Sequence, residues 1–233
     1  ACYKMSTERI AAPANAKDNA NFKATLKGLM KNKPLLWLLV SALLLMTNVM
    51  FIGAVNIYLF KDYFESTAAL SVYGVVQSVA AFAVMPLIAP LVAKFGKKEI
   101  SAFGLALAAI AYYALFFMKD LSGMGFVAFA AVGLFGTAFF NTVVWAFVTD
   151  VIDYHELLTG LREDGTVYSI YSFSRKVGQA VAGGIGGAAI AAVGYQAGAA
   201  QQAESTLNGI HTLGTLVPAI VYTLILLVLV FLY

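Results

Sequence analysis

Six apolar stretches, each long enough to cross a bilayer as a helix, follow one another along this 233-residue chain with few charges between them. Hydrophobic residues make up 61% of the sequence and charged residues only 12%, more apolar surface than a soluble fold of this length can hide. The fold class expected is an all-α membrane protein with six transmembrane helices. They run over about 34–60, 68–93, 100–118, 124–149, 166–193 and 206–233. The fifth is the least apolar, but its glycines and other small residues are common in membrane-buried helices.

Residues 1–33 read as a polar, basic cytoplasmic segment, with a solvated linker over 15–21 and a short amphipathic helix after it. Its cations serve topology and solubility, with anionic-lipid recognition as the alternative. Lys and Arg concentrate in this segment, in the turn holding Lys94, Lys97 and Lys98, and in the loop holding Arg162. The positive-inside rule then places both termini, the second loop and the fourth loop in the cytoplasm. Ala1–Tyr3 reads as the end of an earlier helix, and the last stretch runs to Tyr233 without a polar tail. A fragment of a longer chain is expected.

Several functions are disfavoured by what the chain contains. Cys2 is the single cysteine, and His155 and His211 flank different helices, so neither a thiolate cluster nor a His-rich metal site is expected. No cofactor is called for. A Gly-rich phosphate loop is missing from the sequence, which speaks against a nucleotide-driven pump. No nucleic-acid partner is expected.

Polar residues inside or beside the apolar stretches carry the functional information. The densest group runs from Asp150 through Asp153, Tyr154, His155, Glu156 and Arg162 to Gly165. Asp150 and Asp153 are three apart and share a helix face. Their spacing alone also suits an acid/base pair, the reading of a membrane-integral enzyme, but no nucleophile or metal set accompanies it. In the fifth stretch Gly165, Ser169, Ser172, Lys176, Gln179, Gly183 and Gly187 fall within one narrow arc. Lys176 lies about 15 Å inward, roughly half the apolar thickness. A cation there needs a wet cavity or a carboxylate partner, since snorkelling to the surface is a poor reach.

Arg175 points about 100° aside, and its fork is expected to reach back to Asp150 or Asp153 as a tie between the fourth and fifth spans. Gly183, Gly184, Gly186 and Gly187 are expected to allow close helix packing, or sliding of the helix. Ser41 and Asn48 share a face of the first span, where they line a cavity or hydrogen-bond between helices. Pro86 and Pro90 should kink the second span before Gly96 reverses the chain.

Three segments together resemble the glycoside–pentoside–hexuronide cation symporters of the major facilitator superfamily, the family of melibiose permease. They are Asn141-Thr-Val-Val-Trp145 through Asp150-Val-Ile-Asp-Tyr154, then Thr159-Gly-Leu-Arg-Glu-Asp-Gly165, then Tyr168-Ser-Ile-Tyr-Ser-Phe-Ser-Arg-Lys-Val-Gly-Gln179. Weaker agreement comes from Tyr58-Leu-Phe-Lys-Asp-Tyr63, the Pro86–Lys98 turn, and Glu204–Ile210 with Pro218. The resemblance covers nearly the whole chain and corresponds to the C-terminal half of such a carrier.

It implies one half of a major facilitator transporter, six helices in two inverted three-helix repeats. The implied function is secondary active uptake of a sugar, glycoside or hexuronide coupled to sodium or proton. The alternative is a non-sugar solute (lipid, drug or organic acid) on the same scaffold. The implied partners are the missing N-terminal six-helix half, which would hold most of the coupling-ion site, and the lipid bilayer. By the same resemblance Lys176, Tyr171, Ser172, Gln179, Asn141 and Trp145 contact substrate. Asp150, Asp153, Tyr154, Arg162 and Arg175 form the gating charge network.

Overall fold

The computed structural model describes residues 22–199 and 201–233; the expected linker over 15–21 and the expected helix end at Ala1–Tyr3 lie outside them. The described chain is all-helical: α1 (Phe22–Lys31), α2 (Lys33–Tyr58), α3 (Thr67–Phe95), α4 (Lys97–Phe117), α5 (Gly123–Thr159), α6 (Asp164–Ala192) and α7 (Glu204–Leu227). Single π-helical turns extend α2 over Leu59–Tyr63 and α7 over Val228–Leu232.

Local chemistry sets the helix ends. Asn32 caps α2, its side-chain oxygen accepting from the Leu35 backbone N–H at 3.0 Å, and Pro34 sits at the start, where a missing N–H costs nothing. The same side chain donates to the Val151 carbonyl at 2.9 Å, fastening this junction to α5. Ser66 and Ser122 cap α3 and α5 through the N–H groups of Ala69 and Gly125. Gly96, at φ +100°, turns α3 into α4, and Gly160, at φ +70°, ends α5 in the left-handed conformation that favours glycine.

Five helical segments are long and apolar enough to cross a membrane: Lys33–Tyr63, Thr67–Phe95, Lys97–Phe117, Gly123–Thr159 and Glu204–Leu232. Helix α6, 29 residues long, has the length but not the apolarity. One expectation about these helices needs correcting. The helix of the fourth span does not end at Thr149. It continues to Thr159, because the charges after Asp150 end the apolar run without ending the helical conformation. Pro86 and Pro90 lie inside α3, ahead of the reversal at Gly96.

Helix α2 packs on α6 and α7, α3 packs on α5, and α4 packs on α5 and α7. Exchange α2, α3 and α4 for α5, α6 and α7, and this set of pairings maps onto itself. Helices α3 and α6, counterparts under that exchange, bury only a few of their residues each. Most of the core lies between the remaining helices. It includes Tyr73 and Tyr112, whose hydroxyls are 2.9 Å apart, and Tyr222 against Tyr112 at 5.6 Å.

In lipid the apolar effect does not pull helices together, so close approach of backbones does. Glycines mark those approaches. A methyl group on Gly104 or Gly136 would collide with the other's carbonyl oxygen, which places the α4 and α5 backbones in contact. Gly178 meets α2 in the same way. Of the four glycines expected to pack, Gly186 alone does so, its added Cβ falling 3.2 Å from Ala54; Gly183, Gly184 and Gly187 have no neighbour within 4 Å. Ser41 and Asn48 face inward rather than lining an open cavity, at 3% and 1% exposure. Ser41 donates to the Trp37 carbonyl of its own helix, while the Asn48 amide has no partner among the described residues.

Candidate functional site

Two crossings by α5 build the candidate site. Between α3 and α5 lies a cavity of about 340 Å³, lined among others by Gln77 and Met85 from α3 and Thr137, Asn141, Thr142 and Trp145 from α5. Asn141 donates through Nδ2 to the Thr137 carbonyl at 3.2 Å, and the Thr137 and Thr142 hydroxyls donate to carbonyls of their own helix. That leaves acceptor oxygens for a polar solute.

On its other side Trp145 meets α6. Tyr168 stacks on it at 6.3 Å and Tyr171 meets it edge-on at 5.7 Å. The Arg175 guanidinium lies over the Trp145 ring, 5.2 Å from its centroid, and 5.9 Å from that of Tyr171. One Nη donates to the Met46 sulfur at 3.5 Å. The expected reach of Arg175 back to Asp150 or Asp153 is therefore not what the structure holds. A planar cation beside two aromatic faces is held there by cation–π attraction, and the tie between α5 and α6 is aromatic instead of ionic.

The expected substrate contacts divide by position. Asn141 and Trp145 line the cavity. Tyr171 is 1% exposed and braces Trp145 from behind. On α6, Ser172 and Gln179 are half-buried and Lys176 is exposed. Lys176 makes no hydrogen bond or ion pair among the described residues, whereas Gln179 donates to the Met46 sulfur at 3.8 Å.

The charge cluster beyond Asp150 separates into two groups. Arg162 donates to Asp164 at 3.1 Å, Asp153 at 3.2 Å and Glu156 at 2.8 Å. Its hydrogen bonds to Glu156 and then to Asp164 raise its pKa above the ordinary value, so the loop holds a permanent cation. Asp150 does not join this group. Both its oxygens accept from Lys97 Nζ, at 2.6 and 2.9 Å, which locks the start of α4 to α5. Tyr154 is exposed and bonds to neither group. His155 is fully buried under α1, its Nε2 3.0 Å from Glu163.

Lys97 and Asp150 are each more than a third exposed, so the pair contributes no more than about 1 kcal/mol. Asp150→Lys should lower the melting temperature by a few degrees, and adding Lys97→Asp should restore it. Equal melting of both variants would show that the pair carries no coupling.

The opposite end of the bundle is also tied across the exchange-related parts. Tyr195, in the α6–α7 connection, donates to Asp62 at 3.2 Å and meets Tyr58 edge-on at 4.8 Å. Desolvation, and then the Asp62 carboxylate, push its hydroxyl pKa up, so the donor stays protonated. Tyr63 donates to the Lys119 carbonyl at 2.9 Å.

Sequence reasoning missed Gln77 and Lys97. A lone amide in an apolar span was a visible signal for Gln77. Lys97 carried no signal beyond its place in a basic turn.

Residues 2–233 match the family described as MFS/sugar transport protein. Among curated relatives, a glucuronide carrier protein homolog of Escherichia coli K12 is 31% identical over 218 residues, 93% of this chain and 47% of the relative. A putative sulfoquinovose importer of the same organism is 32% identical, covering 91% of the chain and 45% of the relative. An isoprimeverose transporter of Lactiplantibacillus pentosus is 30% identical, over 98% and 47%. The chain spans about half the length of the curated relatives it matches.

Proposed function

The chain belongs to the MFS/sugar transport family, the glycoside–pentoside–hexuronide transporters, and from that premise we propose that it is the C-terminal half of a cation-coupled sugar or glycoside carrier. The family is one of transporters, not enzymes. In this reading α2 to α7 are six spans, α6 being the fifth and counted among them despite its polarity, and they form two inverted three-helix repeats. The self-mapping set of helix pairings supports that division. The bilayer surrounds this unit, and the connections at Gly96 and Gly160 face the cytoplasm of a bacterial cell. Residues 1–33 enter from the cytoplasmic side.

One observation carries the functional reading. The cavity between α3 and α5 sets the amides of Gln77 and Asn141 and the hydroxyls of Thr137 and Thr142 among apolar side chains, and it shares Trp145 with the aromatic–guanidinium platform of α6. A sugar needs that combination, namely polar groups for hydroxyls and an indole face for the ring. A second six-helix half closing over α3 and α6 would complete the pathway. Rocking of the halves then exposes the site to each side in turn. Lys97–Asp150 and the Arg162 cluster would hold the inner end, and Tyr195–Asp62 the outer end.

The full-length protein in proteoliposomes should accumulate a labelled glycoside or hexuronide when a sodium or proton gradient is imposed, and lose it when the gradient is collapsed. Uptake indifferent to both gradients would remove the coupling. Failure to move any member of a broad glycoside panel would remove the sugar.

A further inference from the structure

Resting on that reading, we propose that the solute carried is an anion, a sugar bearing a carboxylate or sulfonate, and that Arg175 is the residue selecting it. The names of the relatives do not decide this, since glucuronide and sulfoquinovose are charged and isoprimeverose is not. The balance of charges inside the bundle does.

Every carboxylate among the described residues lies in a connection, in a terminal turn or in the charged C-terminal third of α5. None forms an ion pair with Arg175 or Lys176, which stand near the middle of α6. A guanidinium offers five donors, and the partners that Arg175 has among the described residues are uncharged, the Met46 sulfur at 3.5 Å and the Tyr171 hydroxyl. The charge is thus placed but not neutralised. It lies 5.2 Å from the Trp145 ring centroid and 5.9 Å from that of Tyr171, without an acidic partner among the described residues. A planar fork of that kind matches the paired oxygens of a carboxylate or sulfonate.

Trp145 connects the two parts of the site, because it lines the α3–α5 cavity and carries the guanidinium. A sugar against the indole would present an acidic substituent within reach of Arg175, while Gln77 and Asn141 meet its hydroxyls. An uncharged sugar would use the amides and leave the guanidinium unanswered. Lys176 lies one step around the helix and does not touch Trp145, so the two cations do not duplicate each other.

The test uses the full-length carrier and a matched pair of probes, phenyl β-glucuronide and phenyl β-glucoside, with a C6-sulfonated glucoside as the second oxyanion. In the unmodified protein at least one of the two acids should bind about tenfold or more tightly than the uncharged glucoside, and the order of the acids identifies the oxyanion. Arg175→Gln should erase that preference, lowering the ratio of acid to glucoside affinity about tenfold or more. Arg175→Lys should recover part of it, since the charge returns without the fork. Equal or stronger binding of the glucoside by the unmodified protein overturns the proposal and leaves the sugar-carrier reading standing. An unaltered acid preference in Arg175→Gln overturns the role of Arg175. Binding of none of the three probes, with no uptake, overturns the carrier reading and this proposal together. The comparison within the unmodified protein does not depend on any variant folding.

Discussion

Replacing Lys176 by alanine in the full-length carrier is expected to abolish gradient-driven uptake, a loss of about a hundredfold or more, while the protein still inserts and purifies. A lysine at the centre of a membrane helix costs about 2.5–3.5 kcal/mol on insertion scales. Removing it therefore eases insertion. Its ammonium has no hydrogen bond or ion pair among the described residues, so alanine leaves no orphaned partner behind. A charge that costs this much and ties no helices together is expected to act on what it meets in the pathway. Lys176 is exposed, whereas the α2 contact is made by Gly178 and Gly186 of the same helix. Exchange of labelled for unlabelled solute without a gradient separates the two roles open to it. Exchange kept while accumulation is lost assigns Lys176 to ion coupling, and loss of both assigns it to the solute. Accumulation at the unmodified rate would show that the lysine only decorates the helix.

What the sequence made legible follows from which forces act locally. Bilayer thickness fixes the length of an apolar helix, so the six stretches fall on α2 to α7 with small errors at most ends. The large error is at Thr149, where apolarity stops and helicity does not; residues 150–159 are helix that no longer needs to be greasy. Helical spacing correctly put Lys176, Gln179 and Gly183 on one arc, but spacing cannot say which arc meets a neighbour. The close contact therefore belongs to Gly178 and Gly186 and not to Gly183, Gly184 or Gly187. The partner of Asp150 was beyond reach for a different reason. Lys97 is 53 residues away, brought there by the α4–α5 crossing, and Arg162 was nearer in sequence. Arg175 was placed against a carboxylate by charge alone, when two aromatic rings in the same resembling motif were available to it.

The second large effect is expected at the α2–α6 crossing, where Gly178→Leu should prevent stable assembly. A Cβ at Gly178 would lie 2.6 Å from the Leu43 carbonyl oxygen, 3.1 Å from Met46 Cβ and 3.2 Å from Thr47 Oγ1. The first of these is backbone and cannot swing aside. Two hydrogen bonds depend on the same approach, Thr47 donating to the Gly178 carbonyl at 3.2 Å and Ser174 to the Leu39 carbonyl at 2.7 Å. Forcing the helices apart lengthens both, and it also shifts Met46, which holds Arg175 and Gln179 by its sulfur. Overpacking costs about 1–3 kcal/mol in a core that can shift, and a backbone carbonyl in the way puts this substitution at the upper end. In detergent the variant should melt many degrees lower than the parent, or elute as aggregate. Gly53→Ala on α2 is the matched control, with no neighbour within 4 Å, and should leave the melting temperature unchanged or raise it through helix propensity. If Gly178→Leu melted with the parent, α6 would not be seated on α2 at backbone contact. The position argued for Arg175 and Lys176 would then lose its support.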